Sequence, residues 1–401
     1  MRYDFDRPVE RRGTDSIKWD FAQMFFPDAS ANALPLWVAD MDLPTAQPIV
    51  DALVARARHP VYGYTIHQTE DYTDSVLDWF HRRFGWDIDP ETLFHAPGVV
   101  TALSMFIQIL TEPGDGVIIQ QPVYYPFAQI IARNKRVLLN NALVLDGDRY
   151  EMDFDDLEAK ARLPNAKLLI LCSPHNPVGR VWTEQELVRL TTICAKHDVV
   201  VISDEIHCDL LRRGVRHIPL AKACPEHRDR IIVATAPSKT FNLPGLKMSN
   251  IFIHSQDIRN RFRTFCDKLF LEGGTIFGGI TTRVAYQHGE EWLEQLVDYL
   301  DANVEFLKSY LSRHLPQAPM IHPEGTYLAW IDFSAYGLTH RELKKLFLKE
   351  AGVVLDDGRM FGAEGDNFMR INFACPKHTL QECLDRITRA MRKASSPGGR
   401  S

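Results

Sequence analysis

Five apolar runs, at 117–120, 168–172, 199–203, 231–234 and 250–254, are continuous rather than alternating. A strand with one wet face alternates, whereas one covered on both faces does not, so these runs predict buried strands of a mainly parallel sheet. Between them, apolar positions recur at helical spacing over 101–110, 126–133, 184–197 and 258–271. This alternation predicts a doubly wound α/β domain with right-handed crossovers. Upstream, helices are expected over 45–58 and 71–84, the second carrying Val76, Leu77 and Phe80 on one face, with a tight H-P-V-Y-G-Y-T turn between them. The first 35 or so residues are aromatic and irregular and end in L-P-L-W-V-A-D-M-D-L-P, which suits an ordered arm laid over another part of the chain.

Past about residue 290 the texture changes to a long amphipathic helix (292–315) and a strand-like T-Y-L-A-W-I-D-F. A helix over 339–350, short strands at 353–355 and 369–373, and a last helix from near Leu380 follow. The expected organisation is an arm (1–45) joining a smaller α+β domain, a large domain (46–290), the C-terminal small domain (291–393) and a disordered tail (394–401).

Composition narrows the function. A chain of 401 residues, 45% hydrophobic and 24% charged, can bury a large core. With 46 basic against 52 acidic residues, and no dense basic run outside the tail, it carries no nucleic-acid footprint. No signal core or membrane-spanning segment is expected. Seven cysteines, an odd number with no C-x-x-C pair and several inside apolar runs, fit a reduced, cytoplasmic protein. No metal is expected: His207, Cys208 and Asp209 are adjacent in sequence and H-E-x-x-H is absent.

The chemistry-bearing residues sit where loops should leave strands. In I-I-V-A-T-A-P-S-K-T-F-N-L-P-G-L-K, Ser238 and Lys239 follow an apolar run, the place where open α/β sheets bind ligands. A lysine there is a candidate Schiff-base nucleophile, although an ordinary surface lysine also fits the local pattern. A-P-G-V-V-T-A-L puts Gly98 before an apolar helix, a site for an anion or simply a helix start. Neither a Walker lysine nor a G-x-G-x-x-G after the first strand is present. Q-P-V-Y-Y-P-F offers Tyr124 or Tyr125 to cover a flat ligand or to pack under a turn. Asn176 is held between prolines, and Asp204 ends an apolar strand, where a carboxylate is costly unless a cation or several donors meet it. Together these suit pyridoxal 5′-phosphate, which needs an anion cradle, a stacking ring, a carboxylate, a donor and a lysine.

W-V-A-D-M-D, P-V-Y-G-Y-T, C-S-P-H-N-P-V-G-R-V-W-T, I-S-D-E-I-H-C-D and P-S-K-T-F-N-L-P-G-L-K are long contiguous motifs. With them the chain resembles, over nearly its whole length, the fold-type I pyridoxal-phosphate enzymes of the aspartate aminotransferase superfamily. Within it the likeness is to cystathionine β-lyases of the MalY/PatB type. The resemblance implies Lys239 as the Schiff-base lysine, Asp204 as partner of the ring nitrogen, Asn176 as donor to the ring hydroxyl and Tyr124 as a catalytic stacking ring. It places the phosphate on Val99, Val100, Ser238 and Lys247, with Tyr64 reaching the site of a neighbouring subunit in a homodimer. It gives Arg370 the substrate carboxylate, with Ala39, Tyr64 and Asn176 beside the substrate. His207 stands where many aminotransferases have tyrosine, and serves the cofactor or packs in the core; Lys247 and Ala236 replace an arginine and a serine of many relatives. The glycine-rich 273–280 is expected to be a turn at the subunit interface. The implied activity is a β-lyase that releases thiol, pyruvate and ammonia from cystathionine or related S-conjugates. An aminotransferase, or a cofactor-bound regulatory protein, are the alternatives.

Overall fold

The computed structural model describes residues 2–66, 68–271 and 274–395. Its larger sheet contains β1 (Leu93–Ala96), β2 (Gly116–Ile119), β3 (Val137–Asn140), β4 (Ala166–Cys172), β5 (Val200–Asp204), β6 (Ile231–Thr235) and β7 (Ser249–Ile253). The strands lie in the spatial order β1-β7-β6-β5-β4-β2-β3. Neighbours from β6 to β3 run parallel, and β7 is antiparallel to both β6 and β1. The chain goes out from β2 to β3 and returns on the other side of β2 to β4, so the order reverses between β4 and β2. That reversal opens a crevice beyond the strands' carboxyl ends.

Continuous apolar runs are explained by what covers the sheet. Ile118, Leu169, Leu171, Val201, Val233 and Phe252 enter one core, whereas Val117, Ile119, Leu168, Ile170, Ile202 and Ile232 enter the other. Successive side chains point to opposite faces, and each face meets helices, so every position has to be apolar. Helices Val99–Leu110, Pro126–Arg133 and Gln256–Lys268 cover one face, through residues such as Phe106, Phe127 and Phe262. Glu70–Phe84 and Glu184–Lys196 cover the other, with Trp79, Phe80, Leu187 and Leu190 buried.

The second sheet contains β8 (Met320–Ile321), β9 (Leu328–Asp332), β10 (Asp356–Asp357) and β11 (Phe368–Asn372), in the order β8-β9-β11-β10. The pairs are antiparallel. Helix Glu290–His314 and helix Lys377–Ser395 run with this part of the chain. The N-terminal arm reaches it: Leu34 and Pro35 pair in parallel with Val353 and Val354, and Trp37 packs with Phe26 and Leu348.

Several elements depart from the pattern-based expectation. Edge strand β3, strand β1, the hairpin Val144–Asp146/Arg149–Glu151 and helix Phe154–Ala161 were not signalled, being short or half-exposed. The glycine-rich stretch is not a turn: from Ile276 it opens helix Ile276–His288, capped by Thr275 accepting from the Gly278 amide at 2.9 Å. Gly273 lies outside the described residues. A Cβ on Gly278 would meet Thr275 Oγ1 at 2.6 Å and Leu246 O at 3.1 Å, so close approach of this helix to the lysine-bearing loop dictates the glycine. The helix expected over 339–350 is α-helical over His340–Lys345 and π-helical over Leu346–Ala351.

No described helix is long and apolar enough to cross a membrane, and no described group of His, Cys, Asp and Glu could hold a metal. The loop after β4 and the segment between β8 and β9 meet closely at Gly179, whose φ of +74° lies in the left-handed region and whose Cβ would stand 2.6 Å from Pro323 Cα. Its carbonyl accepts from the Gly325 amide at 3.0 Å. Substituting Gly179→Ala combines an unfavourable φ with backbone overlap and is expected to cost about 2–4 kcal/mol, read as a fall in the urea midpoint.

Candidate active site

Loops at the carboxyl ends of β1, β2, β4, β5 and β6 enclose a cavity of about 360 Å³. At the end of β1, Gly98 adopts φ +102° and the chain turns into the 12-residue helix Val99–Leu110. The first-turn amides of this helix have no partner within it, and the helix dipole adds positive potential, so Val99 and Val100 face the cavity as an anion cradle. Ser238 and Lys247 line the same cavity, Lys247 at φ +48° after the turn Pro244–Leu246.

Beyond β2 the Tyr124 amide donates to Asn176 O at 2.9 Å. Of the two adjacent tyrosines, Tyr124 lines the cavity, while Tyr125 turns edge-on to Phe361 at 5.9 Å. Burial pushes the Tyr124 hydroxyl well above its ordinary range, so it is neutral. After β4, Asn176 Oδ1 accepts from Arg370 Nη1 at 2.8 Å, and this fixes the amide with Nδ2 left to donate into the cavity.

At the end of β5, the Asp204 carboxylate is 4% exposed and has one backbone donor, the Ile206 amide at 3.2 Å. Burial raises its pKa to about 7, against the pull of that amide and of Lys239. His207 is buried with Nδ1 lacking a hydrogen-bond partner among the described residues, and its ring stands edge-on to Tyr327 at 5.8 Å. Burial, with Lys239 and Arg370 nearby, keeps it neutral.

Lys239 closes the arrangement after β6. Its Nζ donates to Ala39 O at 2.6 Å, and burial lowers its pKa to about 8 despite Asp40 and Asp204, with Arg370 adding to the depression. Arg370, on β11, stands behind Asn176 rather than on the cavity wall. It donates to Trp37 O at 2.8 Å, pairs with the buried Asp356 and has the Phe361 ring 4.9 Å away.

Ala39, Val99, Val100, Tyr124, Asn176, Asp204, His207, Ser238, Lys239 and Lys247 thus share one cavity, with Arg370 one bond away. Tyr64 does not join them within one chain: it is 109% exposed on the surface. Sequence reading gave no role to Tyr327, whose hydroxyl donates to Ala39 O at 2.8 Å, nor to Asp356 or Cys172. Tyr327 lies in ordinary-looking strand text, and Asp356, followed by Asp357 and Gly358, reads as the start of a turn after a short apolar run.

The model of the family "Aminotransferase class I and II" matches residues 34–387. The chain belongs to that family. It is 42% identical to "Cystathionine beta-lyase PatB" of Bacillus subtilis (strain 168) over 388 residues, 97% of this chain and 100% of that protein. Among solved structures, cystalysin from Treponema denticola, which contains a pyridoxal 5′-phosphate cofactor, superposes with a TM-score of 0.93 at 36% identity, covering 98% of this chain and 99% of that one. The pyridoxal-phosphate-bound C-S lyase of Staphylococcus hominis gives 0.91 at 34%, covering 98% of each. The expected fold, a large mainly parallel doubly wound sheet with a smaller α+β part, and the expected family resemblance are both borne out.

The raised Asp204 pKa has a measurable consequence in the cofactor-free chain. A group whose folded pKa is raised contributes stability at low pH that is lost as pH climbs to the folded value, here about 7. Asp204→Asn removes that loss, at about 1.4 kcal/mol per pH unit. The variant's stability advantage over the parent is therefore expected to grow from roughly pH 5 to pH 7 in urea titrations.

Proposed function

We propose that this chain is a pyridoxal-phosphate-dependent carbon–sulfur β-lyase that cleaves L-cystathionine or a related cysteine S-conjugate to a thiol, pyruvate and ammonia. The observation that carries the reading is the placement of Lys239: a buried amine lowered to about 8 that shares one cavity with a buried carboxylate and a helix N-terminus. The cofactor fits the residues present. Asp204 is a buried acid with a single donor, which calls for a cationic N–H from a ligand, and the first-turn amides with Ser238 and Lys247 call for an anion.

In this reading Val99, Val100, Ser238 and Lys247 hold the phosphate, and Tyr124 covers the ring. When bound, the cofactor supplies an aldehyde that condenses with amines and a ring that withdraws electrons from the carbon beside the amine. Asp204 keeps the ring nitrogen protonated, and Asn176 Nδ2 donates to the ring oxygen. Neutral His207 adds a polar edge without a competing charge. Lys239, near neutrality in proton affinity, is suited to take a proton from the substrate α-carbon and return it. Arg370, braced by Asp356 and Trp37 O and one hydrogen bond behind Asn176, would meet the substrate carboxylate at the Asn176 end of the cavity, with Ala39 and the partner's Tyr64 beside the substrate.

An aminotransferase uses the same lysine, and the family includes such enzymes by name, so the leaving group on the substrate decides. The relatives named as cystathionine β-lyase and C-S lyase, similar over nearly the whole chain, support elimination.

The reading extends to a homodimer with shared sites. Tyr64, Ile66 at 76% exposed and Phe270 at 90% are bare side chains that a second copy would cover, and that copy would carry its Tyr64 to the phosphate end of the neighbouring site. A reducing cytoplasm suits the seven free cysteines, six of them buried.

Pyruvate release from L-cystathionine with no keto acid present is the expected result; strict dependence on an added keto acid would replace lyase by aminotransferase. Lys239→Ala is expected to lower turnover by about 10³-fold or more, with loss of the borohydride-fixed cofactor. Light scattering is expected to report a dimer, with Tyr64→Ala retaining cofactor more weakly.

A further inference from the structure

The lysine-bearing loop is joined to the N-terminal arm rather than to the sheet alone. Asn242, three residues after Lys239, accepts from the Met41 amide at 2.9 Å and donates to Met41 O and Leu43 O at 2.9 and 3.1 Å. Two residues before Met41 the Ala39 carbonyl receives two donors, Lys239 Nζ at 2.6 Å and Tyr327 OH at 2.8 Å, filling both its lone pairs. The next residue, Asp40, does not line the cavity. Its carboxylate accepts from Arg11 Nη1 and Nη2 at 2.9 and 2.8 Å and lies 3.7 Å from the fully buried Lys18 Nζ. Lys18 also pairs with Asp42 at 2.7 Å, and Asn372 Nδ2 donates to Val38 O and Asp40 O at 2.7 and 2.5 Å.

Two cations on the arm thus face two carboxylates, leaving a cluster without net charge whose Asp40 member is adjacent to the carbonyl that holds the amine. We propose that Asp40 is a positioning residue for Lys239: clamped by Arg11 and Lys18, it fixes the Ala39 carbonyl as the resting acceptor of the free lysine amine and supplies the negative charge that keeps that amine protonated while it rests there. Geometry and charge agree on this. Burial outweighs every favourable charge on Lys239, and Asp40 is the strongest of those charges, ahead of Asp204. Asp40 itself, against the upward push of burial, is held below the usual carboxylate range by Arg11, Lys18 and Lys239. The other groups facing the amine are Arg370 on β11, Asp204 on β5, neutral His207 after β5 and neutral Tyr327 before β9.

The inference rests on Lys239 being the reacting amine, and its test reads the lysine's proton without turnover. In the full chain freed of cofactor, the rate of reductive methylation of Lys239 by formaldehyde with cyanoborohydride as the hydride donor, followed by mass spectrometry of its peptide, is measured against pH. Asp40→Asn is expected to shift the profile down by about one unit, a rate about tenfold faster at a fixed pH below the midpoint. Arg11→Gln, which frees Asp40 from its strongest partner, is expected to shift it up. A purely structural arm would move both profiles in one direction or neither. Superimposable Asp40→Asn and parent profiles, or shifts of like sign, overturn the proposal; if Asp40→Asn does not fold by circular dichroism, the sign for Arg11→Gln decides. Turnover by Lys239→Ala would instead overturn the assignment of the reacting amine and leave this titration standing.

Discussion

An amine and a carboxylate buried in one cavity are each unfavourable unless the surrounding chain answers their charge, and much of this structure is arranged to do so. Desolvation alone moves Lys239 toward neutrality and Asp204 toward protonation. The amine and the carboxylate offset part of each other's burial, Asp40 from the distant arm adds to the amine's side, and the Ile206 amide two residues on adds to the carboxylate's. A site that needs charges to stay poised is best built where several segments converge.

Arg370 is the clearest case of that convergence. Its guanidinium joins Asn176 in the loop after β4, Trp37 in the arm and Asp356 on β10, so one side chain ties three segments far apart in sequence. Asp356, raised to about 6 by burial, is the acid that balances it. Removing one partner of such a buried pair leaves the other charge exposed to a low-dielectric interior, which is why the arrangement behaves as a unit.

The larger sheet supplies position rather than chemistry. Its parallel strands end on one side of the molecule, and the reversal of strand order between β4 and β2 leaves room there for a ligand. Helix Ile276–His288 passes so near the lysine loop that Gly278 has no space for a side chain. Gly179 plays the same role between the loop carrying Asn176 and the segment leading into β9.

Much of this was legible in the residues. The doubly covered strands had to be apolar at every position, and so announced themselves, and turn residues after each run marked where Lys239, Asp204, Asn176 and Tyr124 would stand. Short edge strands such as β3 and the helix opening at Ile276 carried no such signal, because half-exposed or glycine-bearing segments read like loops. The sequence by itself determined the five doubly covered strands, the helices between them and the chemical kind of each residue at the strand ends, since these follow from local periodicity and turn propensity. Only the tertiary structure decided that Tyr124 rather than Tyr125 faces the cavity, that Arg370 reaches through Asn176, and that the Ala39 carbonyl meets Lys239. The last two contacts join residues 194 and 200 positions apart, and no local pattern encodes which distant groups will meet.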